Sequence, residues 1–341
     1  MFYYLSENNT EGTNAGNKAR NDVERILETR NSVAISAPTL GKELPHGNRL
    51  LFFMKNQLYW NKIKRIPKNA NFFVQYPLQA QFKGQEKKIT YNYLFNKLVK
   101  RFKVIVLVHD LTDLRGDDKK SSTDDLKKAD YIICHNSSME KYLIQKGIDA
   151  NKLINLEIFD YLISKENIFD HYNDEATICF AGNLNKSKFI YNLPQEVKEL
   201  GINLYGVGYS RKEKGIKYWG SFGSEEISSI IKGKFGLIWD GEDYKSCVGL
   251  TGNYLKYNNP HKLSMYLVSN MPVIIWSQAA EAQFVKNNNI GILINSLEEL
   301  PSVVNTLSKE DYEIMRENVK KIKEKLEKGQ YLRTALDSAK I

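Results

Sequence analysis

Short apolar runs alternate with amphipathic stretches along most of the chain. In the first half Phe2–Leu5, Val33–Ile35, Asn71–Gln75, Lys103–Val108, Tyr131–Cys134 and Leu153–Leu156 read as strands. Between them Asn17–Thr29, Leu50–Ile63, Tyr91–Arg101, Asp124–Ala129 and Met139–Lys146 carry apolar residues at helical spacing. Lys103–Val108 is a continuous, largely β-branched run of the kind covered on both faces of a parallel sheet. The second half repeats the alternation, with strands at Thr177–Ala181, Ile202–Tyr205, Ile216–Trp219, Phe235–Trp239, Pro272–Trp276 and Gly291–Ile294. Helices are predicted over Ser224–Ile231, Ala279–Asn287, Ser296–Leu307, Lys309–Leu326 and Tyr331–Ala339. The pattern predicts an α/β protein of two doubly wound, Rossmann-like domains. Periodicity lapses across Asp160–Glu175, so the expected division is 1–165, 166–325, and a C-terminal helical segment at 326–341 that crosses back to the first domain.

In doubly wound sheets ligands bind beyond the carboxyl ends of the strands, and a cleft between two such domains is a favoured site. Three strand ends are polar there: His109-Asp110, Gly182-Asn183 and Asp240-Gly241. A fourth segment, Asn258-Asn259-Pro260-His261-Lys262, opens a helix beyond a long Gly-, Asn- and Tyr-rich loop. A helix start offers unpaired backbone N–H groups and partial positive charge, and Lys262 adds a full charge, so this segment suits a diphosphate. Gly182 would let backbone approach a phosphate, Asn183 can donate and accept, and Lys186 or Lys188 could reach a phosphate. A polar residue after one strand usually only turns or caps; four converging segments point to a ligand. Asp110 is the leading general-base candidate, because the end of a central strand holds a carboxylate rigidly. His109 is its rival, though such an imidazole is as readily a buried hydrogen-bonding group, and Asp113 comes third on a looser segment. The Gly12…Gly16 pair is not the GxGxxG fingerprint of a dinucleotide site.

Composition narrows the partners. The 341 residues hold 49 Lys+Arg against 40 Asp+Glu, a net charge of +9. The basic residues are interspersed with acidic ones, which reads as solvated helix faces and speaks against nucleic acid. Cys134, Cys179 and Cys247 form no CxxC, and Cys134 and Cys179 lie in apolar runs, so core thiols are expected. No His/Cys/Asp cluster supports a metal, and the Asp240–Asp243 acids read as turn residues. The start of the chain lacks a signal-peptide pattern and no apolar run approaches a membrane span, so a cytoplasmic setting is expected, with peripheral contact at the inner membrane face left open.

Collinear blocks then carry a resemblance over nearly the whole chain. NAGNKAR (Asn14–Arg20), HDLTDLRG (His109–Gly116), HNSSMEKYL (His135–Leu143), FAGNL (Phe180–Leu184), FGLIWDG (Phe235–Gly241) and NYLKYNNPHKLSMYL (Asn253–Leu267) resemble the bacterial β-1,6-galactofuranosyltransferases of cell-surface polysaccharide assembly. More loosely they resemble the glucosyltransferase 3-like enzymes. The resemblance implies a GT-B architecture, with acceptor bound mainly by the first domain and UDP-sugar mainly by the second across a central cleft. It implies a UDP-sugar donor, a glycan or lipid-linked glycan acceptor, self-association in the looser relatives, and no metal or other cofactor. Its UDP contacts would fall on Gly16, Asn183, Lys186 and Asn258–Leu263, with Gly182 and Asp240 alongside. It leaves the base open between Asp110 and His109. No Glu-x₇-Glu pattern is evident in the second half, which suits an inverting enzyme. UDP-glucose or UDP-galactose as donor, and a nucleotide-sugar epimerase, are the competing readings.

Overall fold

The computed structural model describes residues 1–7, 15–36, 49–78, 94–115, 122–169, 171 and 176–341. Twelve strands among them form two sheets: β1 Phe2–Ser6, β2 Ser32–Ser36, β3 Asn71–Tyr76, β4 Lys103–Val108, β5 Tyr131–Cys134, β6 Leu153–Asn155, β7 Ile178–Ala181, β8 Ile202–Tyr205, β9 Ile216–Tyr218, β10 Phe235–Ile238, β11 Val273–Trp276 and β12 Gly291–Ile294. The first sheet runs β2-β1-β3-β4-β5-β6 and the second β12-β11-β10-β7-β8-β9. Every strand pairing in both is parallel. Strand order reverses between β1 and β3 in the first sheet and between β7 and β10 in the second. Connections leave such a point in opposite directions, which opens a crevice at the carboxyl ends. The Gly182-Asn183 and Asp240 segments therefore flank one switch point.

Residue alternation explains the layering. Val104, Val106 and Val108 of β4 pack in one apolar cluster, while Ile105 and Leu107 pack in the cluster on the opposite face. All five are fully buried, as the uninterrupted apolar run requires. Cys134, Cys179 and Cys247 are free, buried thiols. The last helix, Gln330–Ser338, contributes Leu332, Ala335 and Leu336 to the cluster that holds Phe2, Tyr4, Val23, Ile26 and Leu27 of the first half. Asp160 caps that helix: its carboxylate accepts from the Tyr331 amide at 3.2 Å and the Leu332 amide at 2.7 Å. No helix of the described residues is long and apolar enough to cross a membrane.

One glycine sets the height of the helix His261–Val268 above the second sheet. A Cβ on Gly236, in β10, would lie 2.2 Å from Cγ of Tyr266. The Tyr266 ring thus lies flat on the strand, and its hydroxyl accepts the Ala181 amide of β7 at 2.8 Å. Gly236→Ala is expected to cost about 1–3 kcal/mol, because the ring must lift and carry the helix with it. Urea unfolding together with donor titration checks this, and a variant equal to the parent in both would refute the seating argument.

The structure corrects the sequence reading in one consequential place. The stretch after Asp240, expected to be loop until Asn258, contains the helix Gly249–Tyr254. Its two glycines hide it from a periodicity argument. Gly252 is required there by close approach: a Cβ would meet the Cys247 carbonyl carbon at 2.5 Å and the Asp240 carbonyl oxygen at 3.1 Å.

Candidate active site

The second-domain part of the candidate site is built on β7, β10 and the helix His261–Val268 that Pro260 precedes as N-cap. Lys262, in the first turn, turns back over the switch point. Its Nζ donates to the Trp239 carbonyl at 3.1 Å and to Asp240 Oδ1 at 2.9 Å, and lies 4.8 Å from the Phe180 ring centroid. One ammonium therefore touches the ends of both strands at the reversal point. Gly182 follows β7 with a negative φ, and a Cβ there would only make ordinary 3.5 Å contact with the Phe180 ring. The protein itself does not need a glycine at that position.

The first-domain candidates stand at the end of β4. Tyr254, from the short helix of the second half, places its hydroxyl 3.3 Å from Asp110 Oδ1 and accepts the Leu111 amide at 3.2 Å. Since the hydroxyl oxygen already accepts from an amide, its proton points to the carboxylate. Asp110 is thus held by a residue 144 positions away in the other domain. His109 Nε2 lies 2.8 Å from Gln75 Oε1, while Gln75 Nε2 donates to the Arg20 carbonyl at 3.3 Å. That amide orientation puts the imidazole proton on Nε2 and leaves Nδ1 as the basic atom. Burial, with Arg20, His135 and His261 nearby, holds the His109 pKa well below the ordinary histidine value. Arg20 itself is buried, with Nη1 on both oxygens of Glu7 at 2.7 Å and Nη2 on the Pro77 carbonyl at 2.7 Å.

The two halves meet around Phe159. Its ring stacks on His109 with centroids 5.3 Å apart, and meets His135 at 5.1 Å and His261 at 6.3 Å edge-on. His261 also stacks on Tyr161 at 4.8 Å. Asn136 caps the helix Ser137–Gln145 through Oδ1 and sends Nδ2 across to the Tyr257 carbonyl at 3.1 Å and Glu281 Oε1 at 2.8 Å. Burial raises the Glu281 pKa well above the ordinary carboxylate range. Lys18, fully buried, bonds Asp22 at 2.5 and 2.6 Å and the Leu162 carbonyl at 2.6 Å, and reaches Glu225 of the second half at 3.4 Å.

His135 supplies a pH-dependent joint in this interface. Its Nε2–H donates to the Val108 carbonyl at 2.9 Å, and Nδ1 accepts the Asn259 amide at 3.0 Å. The ring is 1% exposed and burial lowers its pKa to about 4. A proton on Nδ1 would oppose the Asn259 N–H. The folded pKa lies below the unfolded one, so the contribution is complete above about pH 6.5 and is lost as pH falls toward about 4. The loss should be on the order of 3 kcal/mol. Asp22 and Asp160, raised by burial to about 6 and about 7, titrate with the opposite sign. Comparing parent with His135→Gln by urea unfolding at pH 7 and pH 4.5 removes those common terms. The stability gap should shrink at the lower pH, and a gap independent of pH would refute this role.

The sequence-derived site residues are not all alike in this setting. Lys262, Asp240, Gly182 and Pro260 converge at the second switch point, and His109 and Asp110 face them from the first domain. Gly16, expected in a loop, is exposed in the first turn of the helix Ala15–Glu28. Asn183 is exposed and its Oδ1 accepts the Asn185 amide at 3.1 Å, while Lys186, also exposed, sits on the turn closed by its amide on Asn183 O. Leu263 is a core residue, and its amide donates to the Pro260 carbonyl at 2.8 Å, so its expected phosphate contact is already engaged. Asn259 is buried against the first domain, its Nδ2 on the Glu157 carbonyl at 3.2 Å. Asn258 Oδ1, Asn259 Oδ1 and His261 Nε2 are buried without a protein partner. Asp113 and Gly12 complete the picture unequally: the Asp113 carboxylate accepts the Ser122 amide, and Gly12 lies outside the described residues. Tyr254, His135, Asn136, Phe159 and Glu281 were missed as site residues. Two of the quoted blocks carried a signal for some of them: HNSSMEKYL contains His135 and Asn136, and NYLKYNNPHKLSMYL contains Tyr254.

Comparison with known proteins bears on the family and the fold. Residues 2–158 match the family described as glucosyltransferase 3-like, N-terminal domain, and residues 178–339 match glucosyltransferase 3-like, C-terminal domain. The chain is 33% identical to the beta-1,6-galactofuranosyltransferase WbbI of Escherichia coli K12, covering 98% of this chain and 97% of that one. It is 25% identical to glucosyltransferase 3 of Streptococcus gordonii over 70% of each chain. Among solved structures, the lipopolysaccharide outer core galactosyltransferase WaaB superposes with a TM-score of 0.61 at 14% identity, covering 99% of both chains. Anabaena HepE, solved with UDP and glucose, superposes with a TM-score of 0.58 at 10% identity over 99% of this chain and 98% of that one. With its two parallel sheets, its full-length relative and both halves of its sequence matched, the chain belongs to the glucosyltransferase 3-like family and is a GT-B glycosyltransferase.

Proposed function

We propose that the protein transfers galactofuranose from UDP-galactofuranose to a hydroxyl, the 6-OH, of a glycan acceptor in cell-surface polysaccharide assembly, with inversion and without a metal. The donor identity is supported by the galactofuranosyltransferase that matches 98% of the chain at 33% identity. The observation that carries the chemistry is the Lys262 ammonium, seated at a helix start and touching the ends of β7 and β10. In this reading the diphosphate lies against the Lys262 side chain and the His261 and Lys262 amides, beside the Gly182 backbone. The acceptor hydroxyl enters from the first domain and gives its proton to Asp110. It attacks the anomeric carbon from the face opposite UDP as the glycosidic C–O bond breaks, and the departing diphosphate gathers its charge at Lys262.

Gly182→Ala tests the donor path. The fold accommodates a Cβ there, so stability should stay within about 0.5 kcal/mol while donor affinity falls severalfold. Unchanged donor affinity by calorimetry would take Gly182 out of the site. The function itself is tested by a donor screen with UDP-galactofuranose, UDP-glucose and UDP-galactose against an alkyl glycoside acceptor, reading product mass and anomeric configuration. An inverted galactofuranoside is expected. Preferred turnover of UDP-glucose would move the enzyme to the glucosyltransferase 3 type, and conversion of UDP-sugar without acceptor would make it an epimerase or hydrolase.

A further inference from the structure

The second domain has a cavity of about 440 Å³ at the β8–β9 edge, lined by Phe169, Asn203, Lys217, Trp219 and Lys232 among others. That volume lies within the roughly 300–1,000 Å³ of small-ligand pockets. The cavity reaches the amino-terminal ends of β8 and β9, whereas the catalytic cleft lies at the carboxyl ends of the central strands. The indole of Trp219 lies parallel to buried Tyr205, centroids 6.2 Å apart, and its Nε1–H donates to Asn203 Oδ1 at 2.8 Å. The ring is thereby fixed and its one polar group satisfied, so it serves as a rigid aromatic platform for the two ammoniums beside it. Lys217 Nζ stands 4.1 Å and Lys232 Nζ 5.3 Å from that ring centroid, and Lys232 also stands 4.6 Å from Phe169. No carboxylate of the described residues pairs with either ammonium.

We propose that this cavity is a second binding site, separate from catalysis, for a phosphate-bearing saccharide. Two ammoniums drawn to one indole repel each other, and a phosphate between them removes that cost. The Phe169 ring and the apolar rim of the indole supply aromatic wall for the sugar ring carrying that phosphate. A neutral sugar would lack the charge interaction, and a bare phosphate would leave the aromatic wall unused.

Tryptophan emission tests the assignment on the full chain with saturating UDP present. Trp60, Trp239 and Trp276 are buried and Trp219 is half-exposed, so Trp219 is the responsive fluorophore. Glucose 6-phosphate should quench saturably, and the response should vanish in Trp219→Phe. Calorimetry should show binding weakened at least tenfold in Lys217→Ala/Lys232→Ala, whose transfer rate to a small acceptor should equal the parent's. Methyl glucoside and inorganic phosphate should each bind at least tenfold more weakly than glucose 6-phosphate. Equal binding of inorganic phosphate, no binding of glucose 6-phosphate, or a response only to phosphatidylglycerol vesicles would each overturn the proposal. None of these readouts depends on which sugar the enzyme transfers.

Discussion

Asp110→Asn is expected to lower kcat by about 10³-fold while donor affinity stays near that of the parent, within the 10²–10⁴ range attributed to general bases. The substitution keeps the acceptor that the Tyr254 hydroxyl meets at 3.3 Å, so the link between domains survives while the basic oxygen is lost. A large fall in kcat with an intact fold would therefore report proton transfer rather than damage. His109→Ala is the necessary companion. The His109 imidazole spends its Nε2 on Gln75, and its pKa is well below the ordinary value, which makes it a weak base at neutral pH. Its loss should cost less than that of Asp110. Single-turnover rates with saturating donor decide between them: an active Asp110→Asn beside a dead His109→Ala would hand the base role to His109. Tyr254→Phe should show an intermediate loss, because the carboxylate would remain but lose the hydroxyl that aims it.

Lys262→Ala should reduce kcat by about 10²-fold, the scale at which one preorganised charge on a leaving group acts. The pairing with Asp240 makes the experiment sharper. Removing Lys262 leaves the Asp240 carboxylate, previously 2.9 Å from the ammonium, facing the place assigned to the diphosphate. Part of the loss would then be repulsion that Asp240 exerts on the donor. Lys262→Ala/Asp240→Asn should recover some donor affinity without recovering kcat. Asp240→Asn alone should bind UDP at least as tightly as the parent. Stability should fall most in Lys262→Ala, because the pair is largely buried and the Asp240 carboxylate is left without its partner, and should recover in part in the double variant. Near-parental turnover by Lys262→Ala would remove the central residue of the proposed chemistry.

Much of this architecture could be read along the chain because it is local. The apolar run at β4 anticipated burial on two faces, and the structure divides its side chains between two clusters by simple alternation. The helix at Lys309–Glu327 has its Ser308 cap and evenly spaced apolar positions, and its predicted and observed ends agree within a residue. Polar residues closing β4, β7 and β10 were recognisable as site candidates for the same local reason. The helix Gly249–Tyr254 was not, because its glycines are there for close backbone packing against Cys247 and Asp240.

The sequence by itself determined the alternation of strands and helices, the presence of two parallel sheets, and the polar residues at the ends of their strands. These follow from side-chain periodicity over a few residues, which the backbone converts directly into buried and exposed faces. Tertiary structure alone decided strand order, and with it the switch points. It also decided that Tyr254 aims at Asp110, that His135 holds Asn259, and that Phe159 gathers three imidazoles. The partners in the two hydrogen bonds are separated by 144 and 124 residues. No local pattern encodes such pairings, because they arise only when the two halves of the chain are brought together in the folded protein.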